Sequence, residues 1–158
     1  MQGPFTIRPG RREDAAEAAR LWMQSAAEHT RHDQIYATAA DAERVMRRFL
    51  ADLAGSGHSF LFVAAIGDRT VGFISGELRE GSPAFRPKTW ASVDDVFVEP
   101  DHRNLGVGRA LLESVKAWAQ DRGADGVSLQ VAAANERGRK FYEELGFREI
   151  SIYEVLEF

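Results

Sequence analysis

The sequence has no cysteine. That excludes a disulfide framework, a thiolate metal site and a cysteine nucleophile together. Histidine is scarce too, with four scattered residues, and no metal centre is expected. No apolar run approaches the ~18 residues of a membrane span. Met1 to Arg12 carries arginines without the apolar stretch of a secretory leader. Basic residues are not in excess either: 20 Lys and Arg stand against 24 Asp and Glu, a formal charge of −4. Nucleic-acid-binding domains are normally basic, so nucleic acid is not an expected partner, and neither is a membrane. A cytoplasmic protein is the default expectation.

What is present suits a folded globular chain. Hydrophobic residues are 44% and charged residues 28% of the sequence, the balance of an ordinary compact domain. At 158 residues, one domain over 1–158 is expected. A chain of that length buries roughly 68–70% of its unfolded surface, enough for a core without staples.

Hydrophobic periodicity gives the order of elements. Phe5 to Arg8 alternates as a strand does, and Pro9-Gly10 ends it. Ala15, Ala18, Ala19, Trp22, Met23 and Ala26 recur at helical spacing, predicting a helix from Arg12 to about Ala27. His29 to Ala37 has no period and reads as a loop. A second amphipathic helix is predicted from Ala40 to Leu53, through Val45, Met46, Phe49 and Leu50. The period then shortens. Phe60–Ala65 and Thr70–Leu78 read as a hairpin around Gly67-Asp68-Arg69, and Trp90–Val98 as a further strand. A helix from Val107 to Gln120, a strand from Val127 to Val131 and a helix from Asn135 to Leu145 follow. Phe147–Ile150 and Ile152–Leu156 read as closing strands. The order β-α-α-β-β-β-α-β-α-β-β predicts an α/β fold with a mixed sheet and helices on its faces.

The chemistry sits at one junction. After the strand ending at Val98 comes Arg103-Asn104-Leu105-Gly106-Val107-Gly108-Arg109, an Arg-x-x-Gly-x-Gly loop opening a helix near Gly108. Glycines let backbone N–H groups converge, and a helix N-terminus adds free donors and a positive dipole end. That combination suits a phosphate or diphosphate, with Arg103 as a fixed positive charge. Two glycines before a helix also serve a bare strand-to-helix connection. The loop lacks Gly-Lys-Ser/Thr, so it is not a Walker loop, and it fits the dinucleotide fingerprint poorly.

This stretch resembles the acyl-CoA-binding segment of the GNAT superfamily of N-acetyltransferases. Asn135-Glu136-Arg137-Gly138-Arg139-Lys140-Phe141-Tyr142-Glu143-Glu144-Leu145-Gly146-Phe147 resembles that family's later segment, an Asn followed by Phe-Tyr-Glu-x-Leu-Gly-Phe. One helix and one strand separate the two segments, as in the family, and the resemblance covers nearly the whole chain. It implies acetyl-CoA as co-substrate, with no metal. Backbone N–H groups of Arg103, Asn104, Leu105, Gly106, Val107 and Gly108, with Arg109, would hold the diphosphate. Val96, Phe97 and Val98 would offer backbone groups to the pantetheine arm, and Asn135 would bond to it or to nearby backbone. Arg139 and Lys140 would reach the 3′-phosphate or form a solvated basic patch. Tyr142 would protonate the departing thiolate, and the Val98 N–H would meet the oxyanion. Asp94 or Asp95 would receive the amine proton, Asp94 ranking slightly first because it shares the face of Val96 and Val98 in a regular strand; a bulge would reverse that parity. The sequence departs from the family pattern at Asn104, where glycine is frequent, and at Gly138, where alanine is common. Asparagine tolerates the left-handed conformation, and Gly138 would admit close approach of the cofactor.

By the same resemblance, His29, His32, Asp33, Tyr36, Glu77, Glu80 and Trp90 are candidates to line the acceptor site. The expected activity is transfer of acetyl directly to a primary amine of a small molecule. Acetylation of a protein N-terminus or lysine is the alternative enzyme reading, and a non-catalytic CoA-binding sensor the alternative of another class. A homodimer is a possible assembly, since dimers are frequent among relatives.

Overall fold

The computed structural model describes residues 4–158. Strand β1 (Thr6–Pro9) leads into helix α1 (Ala15–His32), and α2 (Ala42–Leu53) follows. Strands β2 (Ser59–Ile66), β3 (Arg69–Glu80) and β4 (Thr89–Val98) come next, then α3 (Val107–Asp121), β5 (Gly126–Leu129) and α4 (Glu136–Glu144). The five strands form one sheet in chain order. The first four are antiparallel, and β5 runs parallel to β4 after the α3 crossover. Gly67, at φ +58°, makes the left-handed step that the β2–β3 turn needs.

Why β2 is apolar at nearly every position is explained by what covers it. Phe60, Phe62 and Ala64 join one core with Val107, Leu111 and Val115 of α3. Leu61 and Val63 join the opposite core with Leu21 of α1 and Leu50 and Leu53 of α2. Successive side chains of a strand point to opposite faces, and here both faces are buried. Helix α4 packs Phe141, Tyr142 and Leu145 against the α3 side. Among the described residues, no helix is long and apolar enough to cross a membrane.

The sheet is irregular at one functional point. The register runs Ser75↔Asp95 and then Gly76↔Val93, so Asp94 is an extra residue on β4, a β-bulge. Gly76 makes the bulge possible. A Cβ there would lie 2.0 Å from the Ser92 carbonyl oxygen and 2.5 Å from Phe60 Cζ. Gly76→Ala should therefore destabilise the chain by about 1–3 kcal/mol, the range for overpacking. The urea midpoint would fall; an unchanged midpoint would show that β4 relaxes freely.

Three sequence expectations are corrected. The first helix runs to His32, not to about Ala27, and Gln34–Tyr36 forms a 3₁₀ turn where a loop was expected. Polar side chains sustain its last turns: the Thr30 hydroxyl donates to Ala26 O, and His29 Nδ1 lies 2.8 Å from Ser25 O. Val45 and Phe49 are exposed, so the buried stripe of α2 is narrower than its apolar pattern. Helix α3 opens at Val107, where its periodicity places it, with Gly106 as its cap. Residues 147–158 form no strand. Alternation measures readiness to pair, and within this chain the segment has no partner.

Candidate functional site

Strand β5 stops at Leu129, opposite Val93, while β4 continues to Val98. Asp94–Val98 thus has β3 on one side and a gap on the other. Glu99 N donates to Val71 O. Antiparallel alternation then turns the N–H and C=O of Val96 and Val98 into the gap. Phe97 differs from expectation: it sits opposite Phe73, its backbone turns toward β3, and its ring is buried against α1 and α2.

At the end of β4 the backbone makes an anion-shaped cradle. Asn104 (φ +62°) and Gly106 (φ +86°) are left-handed. Among the described residues, the backbone N–H groups from Asn104 to Arg109 have no hydrogen-bond acceptor. The α3 N-terminus lies at their centre and adds its positive dipole end. Arg109 is exposed and makes no ion pair among the described residues. Gly108 has a different role from Gly106: a Cβ on it would come 3.2 Å from the Phe141 ring, so the glycine lets α3 meet α4 closely.

Arg103 was expected to lend its charge to a phosphate. Its guanidinium instead donates to Val98 O from Nε (2.8 Å) and to Glu28 Oε1 from Nη2 (2.8 Å), and lies 5.1 Å over the Phe97 ring. It ties the loop to β4 and α1. The buried Glu99 carboxylate anchors the same corner, accepting from Arg20 (3.2 Å) and Arg69 (2.8 Å). Sequence reasoning missed Glu28, Arg20, Arg69 and Glu99. The one local signal was a carboxylate between the strand end and Pro100; its partners lie 30 and 79 residues away.

The adjacent carboxylates part company. Asp94, on the bulge, accepts from Arg79 at 2.9 Å. Burial raises its pKa, Arg79 opposes that, and Glu77 adds to the rise. Asp95 lies on the α1 face and accepts from Trp22 Nε1 at 2.8 Å. Burial raises its pKa most, opposed by the Trp22 hydrogen bond, with Asp94 adding to the rise. No cation makes an ion pair with Asp95 among the described residues. Nearby, His29 Nδ1 lies 2.8 Å from the Ser25 carbonyl oxygen, a contact in which the nitrogen donates. Its ring centroid is 5.5 Å from Tyr36 and 6.3 Å from His32.

These three expected lining residues come together at the end of α1, with Asp33 capping the 3₁₀ turn. Glu77, Glu80 and Trp90 do not join them. Trp90 pairs with Gly126 at the far end of β4, five strand residues and ~16 Å from Asp95, and Glu80 lies opposite Thr89.

Tyr142 lies against Phe141 and Phe147, with centroids at 5.3 and 5.7 Å. Burial pushes its phenol up to about 12. Asn135 caps α4, its Oδ1 accepting from Gly138 N at 2.9 Å. A Cβ at Gly138 would crowd that amide at 2.6 Å, so this glycine makes room for the cap. Arg139 donates to Glu149 at 2.7 Å. Among the described residues, no group of three His, Asp or Glu could hold a metal ion.

The model of the acetyltransferase (GNAT) family matches residues 17–147. Aminoglycoside N(6′)-acetyltransferase type 1 of Stenotrophomonas maltophilia is 30% identical over 151 residues, covering 91% of this chain and 86% of that protein. N-acetyltransferase MJ1207 of Methanocaldococcus jannaschii is 33% identical over 88 residues, 56% of this chain; the match spans only 38% of that relative's length. Among solved structures, a tetramutant of the BH1408 protein of Bacillus halodurans superposes with a TM-score of 0.86 at 22% identity, over 97% of this chain and 99% of that one. AAC(6′)-Iy in complex with a CoA-linked bisubstrate analogue superposes with a TM-score of 0.73 at 18% identity, over 97% of both chains.

Proposed function

This chain belongs to the GNAT family of acetyltransferases, and on that premise we propose that it transfers the acetyl group of acetyl-CoA directly to a primary amine of a small-molecule acceptor. Acetyl-CoA is the co-substrate; when bound, it supplies an activated thioester carbonyl. The observation that carries the reading is the continuity of two features. The gap lined by the N–H and C=O groups of Val96 and Val98 leads into the cradle of unpaired N–H groups from Asn104 to Arg109. An extended chain ending in a diphosphate matches that sequence of donors and acceptors.

Each residue then has a task. Asn104–Arg109 holds the anionic end through backbone donors, with Arg109 as the nearby free cation. Arg103 acts through the loop that it pins. Val96 and Val98 orient the pantetheine arm, and the Val98 N–H stabilises the oxyanion. Tyr142 keeps its proton on Oη throughout the neutral range and offers it to the departing sulfur. Parity alone favoured Asp94 as the proton acceptor, but the bulge removes that parity and Arg79 holds Asp94. Asp95 faces α1, without a cationic partner, and receives the amine proton. Asp95, which has no ion-pair partner among the described residues, gives this face a carboxylate suited to a cationic amine.

Thiol release from acetyl-CoA over a panel of aminoglycosides, polyamines and peptides tests the acceptor class. Small amines should turn over; exclusive turnover of peptides would move the activity to protein acetylation. Acetyl-CoA at 100 Kd should stabilise the chain by about 2.7 kcal/mol, raising the melting temperature by roughly 5–10 °C. No rise at any concentration would overturn acetyl-CoA binding itself, and a rise without turnover of any amine would leave a CoA sensor.

A further inference from the structure

The face of the sheet that meets α1 is apolar, yet it carries two polar side chains side by side. Ser75 of β3 and Asp95 of β4 stand directly opposite each other. Opposed residues of an antiparallel pair share a face, with Cβ atoms ~4.5–5.5 Å apart. The next pair along this face is Phe73 and Phe97, and both belong to the core beneath α1 and α2. On its other side Ser75 is opposite Leu61 of β2, a member of the same core. Of its two cross-strand neighbours, then, only Asp95 is polar. Beyond the pair the register skips at the Asp94 bulge.

A serine in such a place needs an explanation. It is completely buried, and its hydroxyl makes no hydrogen bond among the described residues. An unpaired buried hydroxyl is costly, and native cores pair nearly all such groups. The carboxylate beside it has a vacancy of the opposite kind. Asp95 Oδ1 accepts from Trp22 Nε1, while Oδ2 accepts from nothing among the described residues. The hydroxyl is near enough to lower the Asp95 pKa, the weakest of the influences on that group. A single side-chain torsion with three staggered wells places a serine hydroxyl. Ser75 therefore turns onto the carboxylate without any movement of the backbone.

We propose that Ser75 is a positioning residue for Asp95: its hydroxyl turns onto the second carboxylate oxygen and holds the carboxyl group in both of its protonation states. This rests on the reading of Asp95 as the acceptor of the amine proton. A hydroxyl suits the task because it both donates and accepts. While Asp95 is charged, Trp22 donates to Oδ1 and Ser75 to Oδ2, and two donors fix the plane that one leaves free to swing. When the amine nitrogen gives its proton to Asp95, an O–H bond forms at Oδ2 and the carboxylate charge disappears. Ser75 Oγ then accepts from that O–H. The bond to the charged form is the stronger, because charge-assisted hydrogen bonds are roughly twice as strong as neutral ones. Ser75 thereby offsets part of the burial that raises Asp95 and keeps the carboxylate ready to accept. Asp94 on β4 and His29 on α1 are the titratable groups that act on Asp95, and Glu77 and Arg79 of β3 act on Asp94.

Carbon-13 NMR of the aspartate side-chain carboxyls reads the pair without any substrate. The Asp95 signal is the one that Asp95→Asn removes. In Ser75→Ala its titration midpoint should move to higher pH by about one unit, because losing a bond to the charged form weakens the acid. Alanine fits wherever serine does, so this variant should fold. The acid limb of kcat/KM should move up with the midpoint, while KM for acetyl-CoA stays the same. Ser75→Thr restores the hydroxyl and should restore the midpoint. An unmoved midpoint in Ser75→Ala, with Asp95→Asn inactive, would overturn the Ser75 proposal alone. A folded Ser75→Thr with the midpoint of the alanine variant would do the same. Full turnover by Asp95→Asn is a separate failure: it would end the proton-acceptor role, and Ser75's part in the reaction with it, whatever the midpoint in Ser75→Ala.

Discussion

Tyr142→Phe is expected to lower kcat by about 10²–10⁴-fold, the usual contribution of a positioned general acid. The rise in melting temperature with acetyl-CoA should be unchanged. The two readouts separate because of what surrounds the phenol. Its ring is held by Phe141 and Phe147, contacts that phenylalanine keeps. Its oxygen makes no hydrogen bond among the described residues, so deleting it strands no partner. Burial raises the phenol from 10.0 to about 12. The folded chain therefore binds this proton more tightly than the unfolded chain does. That contribution to stability is full below pH 10 and is lost as pH rises toward 12. For the same reason, any alkaline fall in kcat below about pH 11 belongs to another group. Full turnover by the Tyr142→Phe enzyme at neutral pH would remove the acid role.

The second large effect is expected at Asp95. Asp95→Asn should lower kcat/KM by about 10²–10⁴-fold without lowering the melting temperature at pH 7. Catalytic loss with retained stability is unusual for a substitution this deep, and the sign follows from burial. Desolvation raises the pKa of Asp95 above its ordinary value, so the fold disfavours the charged form. A group raised in this way contributes stability at low pH and loses it as pH rises through its folded pKa. Asparagine removes the charge and keeps an oxygen for the Trp22 N–H. Wild-type kcat/KM should also show an acid limb above the ordinary carboxylate range that the variant lacks. Asp94→Asn is the control, because Arg79 already holds that carboxylate. Were Asp94→Asn to lose activity while Asp95→Asn kept it, the roles would exchange.

Local signals carried far in this chain. Gly67 and Gly106 stand where the backbone turns left-handed, and Asn104 adopts that conformation as its tolerance for it suggests. Asn135 caps its helix as its position implies. What escaped sequence reading depends on a second stretch of chain. Period-2 alternation cannot reveal the bulge at Asp94, because a bulge is defined by the register against β3. Arg103 reads as a free cation until Glu28, 75 residues away, is brought beside it. Glycine is legible as permission but not as purpose: Gly106 supplies a backbone angle, whereas Gly108 and Gly138 make space for Phe141 and Asn135.

The approach of Gly108 to Phe141 gives the site a ruler. The helix that begins in the anion cradle touches, through one ring, the helix that carries the phenol. On the proposed roles, this contact fixes the separation between the end of the cleft that would hold the carrier and the end that would react. A ligand too short or too long between its charged head and its reactive tip would fill one end and miss the other. On this geometry, selectivity for the acyl carrier is a measurement of length as much as of charge.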